Sequence, residues 1–299
     1  MNAHPGAARF SVVSALAAGL LLAGCGGDGG GDGNGSATPV PPPTGSPPPP
    51  ATASSTGLWK GTLTSPEGTT SELVGFVDPA GDSVWMTPAG RVFDGVIASA
   101  PAGDQLQLRL HDYDIDRMGT HEMVQMRIET HTTSLLEGRF QVGTASEDFR
   151  AERHEAWERA GSLDTLAGVY TRSLGSGYTM TMSVTRNGEL TGSDTLGCQW
   201  TGTVTIPDPQ HNLYHVAAGV SACGDRDGHY EGFGALFDAD AMLDWMNAMR
   251  PFEHGHTGGH GPGGHGPGPT TIPSGQQNLF MFGLHDESRH RVIVDALAR

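Results

Sequence analysis

Four histidines, His254, His256, His260 and His265, fall within twelve residues of a Gly/Pro-rich ribbon that also carries Glu253. Neutral imidazole is the commonest ligand for Zn²⁺, Cu²⁺ and Ni²⁺, and His-x-His in an extended segment can direct both rings to one ion. This tract is the candidate metal site. Glycine spacers let the other rings fold around an ion, but ordering such a ribbon costs entropy, so affinity and selectivity should fall below those of ligands held on rigid strands. The competing reading is a solvent loop of low complexity in which histidines accumulate. Just upstream, Met242, Trp245, Met246 and Met249 recur at helical spacing between Asp240, which can cap a helix start, and Pro251, which ends it. That predicts a short helix with a soft apolar face, packed as a lid on the second of the barrels described below. Thioether capture of Cu(I) is the alternative use of its sulfurs.

Other patterns stop short of a site. Asp112, Asp114 and Asp116 begin as a calcium loop does, but the sixth position is Arg117 instead of Gly and the twelfth is Met123 instead of a bidentate Glu. His121-Glu122-Met123-Val124-Gln125 lacks the second histidine of a helical zinc-protease motif, and the alternation of Val124, Met126 and Ile128 reads as strand. There is no Gly-x-Ser-x-Gly elbow, and Gly175-Ser176-Gly177 reads as a turn. The single lysine, Lys60, sits in Trp59-Lys60-Gly61, so no phosphate-cradling Gly-Lys-Ser/Thr loop exists. Carboxylates paired for glycoside hydrolysis are not singled out by spacing. These observations predict a non-enzymatic protein. The 17 basic against 33 acidic residues, net charge -16, also exclude nucleic-acid partners, whose affinity comes largely from Lys and Arg displacing counterions.

Residues 1–24 carry one charge, Arg9, and an apolar run from Phe10 to Leu22, shorter than the ~20 residues a membrane span wants. This is the pattern of a secretory signal. Leu22-Ala23-Gly24-Cys25 resembles the bacterial lipobox, in which the cysteine takes a diacylglycerol and becomes the new N-terminus. Cys25 is therefore the expected lipidation site, tying the chain to a membrane it does not span. Gly26 stands where Asp would favour inner-membrane retention, which implies the outer membrane. Across residues 26–56, 16 of 31 residues are Gly or Pro, so residues 25–56 are expected to be a lipidated tether without a core.

From Gly57 onward the residues alternate. Tyr178, Met180, Met182 and Val184, then Trp200, Val204 and Ile206, interleave with Thr, Ser and Gly, as half-buried antiparallel strands do. Pro79 to Gly81, Pro88 to Gly90 and Pro101 to Gly103 punctuate the runs, and Asn187-Gly188 suits a two-residue hairpin with positive φ. Counting strands predicts an all-β chain of two tandem eight-stranded antiparallel meander barrels, over residues 57–153 and 167–299. Residues 154–166 form the linker, and the short helix and His-rich loop, 238–271, are inserted in the second barrel. A two-sheet sandwich and a membrane-spanning barrel are the rival architectures. Gly57-Leu58-Trp59 and Gly168-Val169-Tyr170 open the units alike, and Glu137-Gly138 and Glu231-Gly232 sit late in each, a hint of duplication. Cys198 and Cys223 lie symmetrically about 207–212, across one hairpin, and are expected to form a structural disulfide in an oxidising compartment. A redox-active pair would want Cys-x-x-Cys.

The lipobox and tether, Gly197-Cys198-Gln199-Trp200-Thr201-Gly202-Thr203-Val204, Cys223-Gly224 and Tyr230-Glu231-Gly232 are together similar to uncharacterised proteobacterial outer-membrane lipoproteins with tandem small β-barrels. The likeness is clearest over 167–237. It implies a cell-envelope location and supplies no activity. The expectation is an envelope lipoprotein presenting β-barrel binding modules to a small apolar ligand or a periplasmic protein. Two other readings stand beside it: capture of divalent Zn, Cu or Ni by the histidine tract, and inhibition of a cationic periplasmic or host hydrolase, toward which the acidity would steer the chain.

Overall fold

A computed structural model gives the fold of residues 55–97, 106–114, 121–173, 177–242, 245, 278–286 and 291–299. The first eight strands are β1 (Gly57–Thr64), β2 (Thr70–Val77), β3 (Asp82–Met86), β4 (Arg91–Val96), β5 (Leu106–Asp114), β6 (His121–His131), β7 (Leu135–Val142) and β8 (Ala145–Arg153). Each pairs antiparallel with the next, and β1 also pairs with β8, so the sheet closes. The second eight are β9 (Gly168–Ser173), β10 (Thr179–Val184), β11 (Glu189–Asp194), β12 (Gln199–Thr205), β13 (Tyr214–Ser221), β14 (Gly228–Asp238), β15 (Asn278–Asp286) and β16 (Arg291–Ala298), and they close in the same order. Closure settles the architecture as two meander barrels and rules out the sandwich. Between them, one 3₁₀ turn (Glu155–Glu158) and one helical turn (Leu163–Leu166) are capped by the His154 and Ser162 side chains.

Five hairpins use one local device. In Ser65–Thr69, Asp78–Asp82, Thr87–Arg91, Thr185–Glu189 and Asp194–Cys198, the fourth residue is a glycine with φ between 81° and 99°. Its N–H donates to the carbonyl of the first residue at 2.9–3.2 Å. The first residue is always Ser, Thr or Asp, and its side-chain oxygen accepts the N–H of the fifth at 2.9–3.3 Å. This is the three-residue hairpin loop that ends in a left-handed bulge residue, where a Cβ is strained. The two-residue turn expected at Asn187-Gly188 is corrected accordingly. Only Gly188 takes positive φ, because Asn187 occupies the preceding right-handed position of this longer loop. Pro101 to Gly103 lies outside the described residues.

Each barrel is latched at one end in the same way. The Trp59 indole N–H donates to the carbonyl of Ser55 at 2.8 Å, and the Tyr170 hydroxyl donates to that of Leu166 at 2.5 Å, both four residues back. Arg153 lies over the Trp59 ring and Arg299 over the Tyr170 ring, each at 5.2 Å. Arg153 also donates to the Thr56 carbonyl at 3.0 Å, and Arg299 donates to those of Thr165, Leu166 and Ala167. A Cβ at Gly168 would sit 2.6 Å from the Arg299 guanidinium, which would have to shift to admit it. The second hint of duplication does not correspond strand for strand. Gly138 is on the seventh strand of its barrel and Gly232 on the sixth of the other, and each is glycine because a Cβ would collide with a neighbouring carbonyl, of Arg127 or Gly283.

Both interiors are filled. Trp59, Trp85, Phe93, Phe140 and Phe149 lie in one buried cluster of the first barrel, with Phe93–Phe140 and Phe140–Phe149 ring centroids 4.6 and 5.2 Å apart. Tyr170, Trp200, Tyr214, Tyr230, Phe280 and Phe282 fill the second. A third cluster joins the outward faces. Val74, Phe76, Val84, Met86 and Val92 of β2–β4 meet Phe233, Phe237, Met281, Val292 and Val294 of β14–β16, with Trp157 of the linker. The barrels therefore share a dry seam, and Gly283 keeps it close, since a Cβ there would touch Val84 and Met86 at 3.0 Å. Met242 and Trp245 of the insertion are fully buried in this same cluster. The expected lid thus packs on the flank between the barrels. Ala239–Met242 is a single 3₁₀ turn, and the remainder of the expected helix, apart from Trp245, lies outside the described residues.

Candidate inter-barrel cleft

Beside the dry seam, the outward faces of β2–β4 and β12–β15 leave a cleft of about 430 Å³, within the ~300–1,000 Å³ of small-molecule sites. Its apolar part is Val84, Val96, Pro207 and Phe233. The His215 ring stands edge-on to Phe233, 5.6 Å between centroids, and Val96 at the rim is 57% exposed. The polar part is Asp78, Asp82, Asp94, Glu231, His215 and His285. Among the described residues, no Lys or Arg lines the cleft.

Strand alternation puts these side chains outside the barrels, and turn geometry aims them. Phe93 points into the first core, so Asp94 and Val92 point outward. Phe282 and Leu284 point into the second core, so His285 points outward with Met281. Asp78 Oδ1 accepts the Asp82 N–H at 2.9 Å, fixing the hairpin that carries both carboxylates to the lip. Asp94 stands between two imidazoles. Its Oδ1 is 3.7 Å from Nδ1 of His111, its cross-strand partner on β5, and its Oδ2 is 3.5 Å from Nε2 of His285 on the other barrel. Glu231 faces His285 across the β14–β15 ladder. When either imidazole is protonated, these distances make ion pairs.

Elsewhere, burial decides the protonation states. His131 is 1% exposed and neither ring nitrogen has a hydrogen-bond partner among the described residues. Burial, then the Arg153 charge, lowers its pKa. Burial, then Lys60, lowers that of His154, whose Nδ1 must stay unprotonated to accept the Ala156 N–H at 3.1 Å. Burial pushes the Tyr170 phenol up to about 12, so it remains a donor in its latch.

Cys198 and Cys223 form the expected disulfide, Cα atoms 4.8 Å apart, at the open end of the β12–β13 hairpin. Cys25, His254, His256, His260 and His265 lie outside the described residues. Among the described residues, no group of three or more His, Cys, Asp or Glu is arranged to hold a metal ion. Asp112 and Asp114 lie on β5, and His121 to Gln125 on β6, as strand residues. Asp94, His215, Glu231 and His285 were not singled out by spacing, because they come from two barrels. One signal pointed to their surroundings: Leu73–Val77 and Leu279–Leu284 are unbroken low-polarity runs, the mark of strands covered on both faces.

No protein-family model, curated protein or solved structure matches this chain.

Proposed function

We propose that the chain is a non-enzymatic envelope lipoprotein, acylated at Cys25 and anchored in the outer membrane, that binds a small ligand in the cleft between its two barrels. The observation that carries this reading is the contrast between filled barrel interiors and the open cleft outside them. A barrel packed with aromatic rings offers no room for cargo. The cleft, built jointly by both barrels, offers concave apolar surface with a few convergent polar groups, which is the usual make-up of a ligand site. The lipobox and the Gly/Pro tether support the anchored half of the reading.

The test uses protein extracted from envelope membranes. Native mass spectrometry should retain a small adduct, and Val96→Trp, which fills the cleft from its exposed rim, should remove it. An adduct indifferent to Val96→Trp sinks the cleft reading. Palmitate labelling that persists in Cys25→Ser sinks the anchor. A second reading is favoured by the density of His254, His256, His260 and His265: capture of Zn²⁺, Cu²⁺ or Ni²⁺ by the inserted tract. Calorimetric titration with Zn²⁺ should give heat that vanishes when all four become alanine, and an unchanged isotherm removes this reading.

A further inference from the structure

The geometry points to a small organic cation, a primary ammonium on a short apolar or aromatic stem, as the ligand class of the inter-barrel cleft. This rests on the proposed function, which makes the cleft a site, and adds what the site selects. The cavity itself is the starting observation: about 430 Å³ between two rigid sheets, with Val84 and Phe233 as an apolar floor. Both are buried in the shared seam, so the floor is preformed. Such a floor accepts a flat or branched hydrocarbon body and rejects a compact hydrated ion, which would leave it wet.

The lip then decides the sign of charge. Among the described residues, Asp78, Asp82, Asp94 and Glu231 surround the opening, with no lysine or arginine lining it. Low-dielectric walls lined by one sign of charge focus the field within a cleft. An anionic ligand would have to enter against that field, whereas an ammonium gains from it. Asp94 carries charge from one barrel toward the other, with side-chain exposure of 14% and His285 facing it at 3.5 Å. An ammonium seated beside Asp94 would supply a counter-charge to its carboxylate. The His215 and Phe233 rings, 5.6 Å apart, supply an aromatic wall on which the stem packs.

The experiment compares two probes of one shape. Full-length lipidated protein in detergent is titrated calorimetrically with 2-phenylethylamine and with 2-phenylethanol, which differ only in the charged group, at low salt and at high salt. The expected result is amine binding at least tenfold tighter than alcohol binding, weakened by salt. Asp94→Asn should weaken the amine at least tenfold, and Glu231→Gln, at an exposed position that leaves the fold undisturbed, should weaken it severalfold with no effect on the alcohol. Shifts of the His215 and His285 ring resonances on amine addition would place the binding in the cleft. Equal binding of amine and alcohol, sensitive to Val96→Trp, overturns the cation class and leaves the cleft as a site. Absence of heat from both probes, or amine binding indifferent to Asp94→Asn and Glu231→Gln, overturns the inference. If native mass spectrometry also finds no adduct sensitive to Val96→Trp, the proposed function falls with it.

Discussion

Among the described residues, the first barrel closes through six backbone pairs, from Trp59↔Arg153 to Thr64↔Asp148, whereas the second closes through one, Ala298↔Thr171. The latches are alike, so the difference lies along the joint itself. Side chains also cross the joint of the second barrel. Arg172 of β9 donates to Asp295 of β16 at 2.7 Å, and both side chains are 1% exposed. The Arg299 guanidinium, just beyond β16, reaches the carbonyls that lead into β9. Among the described residues, backbone pairing dominates one joint, and a buried ion pair accompanies it at the other. Breaking one partner of a buried pair leaves an uncompensated charge, and that exceeds the gain the intact pair contributes.

The sharpest way to break this comparison is Asp295→Ala, which takes a carboxylate from the buried Arg172 guanidinium and should cost about 3–5 kcal/mol in urea unfolding. Arg150→Ala, which removes exposed pairs with Glu137 and Glu152 on the first barrel, should leave the midpoint where it is. Equal effects at the two sites would show that the joint of the second barrel is not held by charge. Next in size, removing the disulfide with Cys198→Ser and Cys223→Ser should cost about 3–4 kcal/mol on the chain-entropy account of a 25-residue separation. That loss should be confined to the second barrel, read by hydrogen exchange at Trp200 against Trp85. Gly283→Val forces a side chain against Val84 and Met86 and should cost about 1–3 kcal/mol, speeding no exchange inside either barrel but loosening the seam between them.

The smallest effect concerns acid. His131 and His154 have pKa values lowered by folding, so as pH falls through the ordinary imidazole value of about 6.5 the unfolded chain binds protons before the folded one. Stability should then decrease with falling pH until the lowered folded values are reached, and show no contribution from these groups above neutrality. His154→Asn, which keeps an oxygen to cap Ala156, should flatten part of the slope between pH 7.5 and pH 5.5. An unaltered slope in the His131→Leu/His154→Asn pair would place the acid sensitivity elsewhere.

The barrels were legible because their information is local. Alternation such as Tyr178 to Val184 and glycines in hairpin position report a strand and its reversal within about ten residues. The disulfide was legible for the same reason, since its two cysteines flank one hairpin. The cleft was not, because Asp94 and His285 meet only when two closed sheets dock, and no spacing encodes that. The apolar runs at Leu73–Val77 and Leu279–Leu284 carried the docking in plain view. They differ from ordinary strands only in lacking a wet face, a difference that period-two reading passes over. Arg172 and Asp295 were hidden by their charge, which in a sequence speaks for the surface.

The dry seam has a consequence for how the chain can be divided. Severed within the linker, each half would present a stripe of Val, Phe and Met to water, a sticky flank that invites self-association. The two gene segments are therefore expected to be soluble only when expressed together, recombining as complementary fragments. Evolution of either half is then tethered to the other: a change in the flank of one must be answered in its mate.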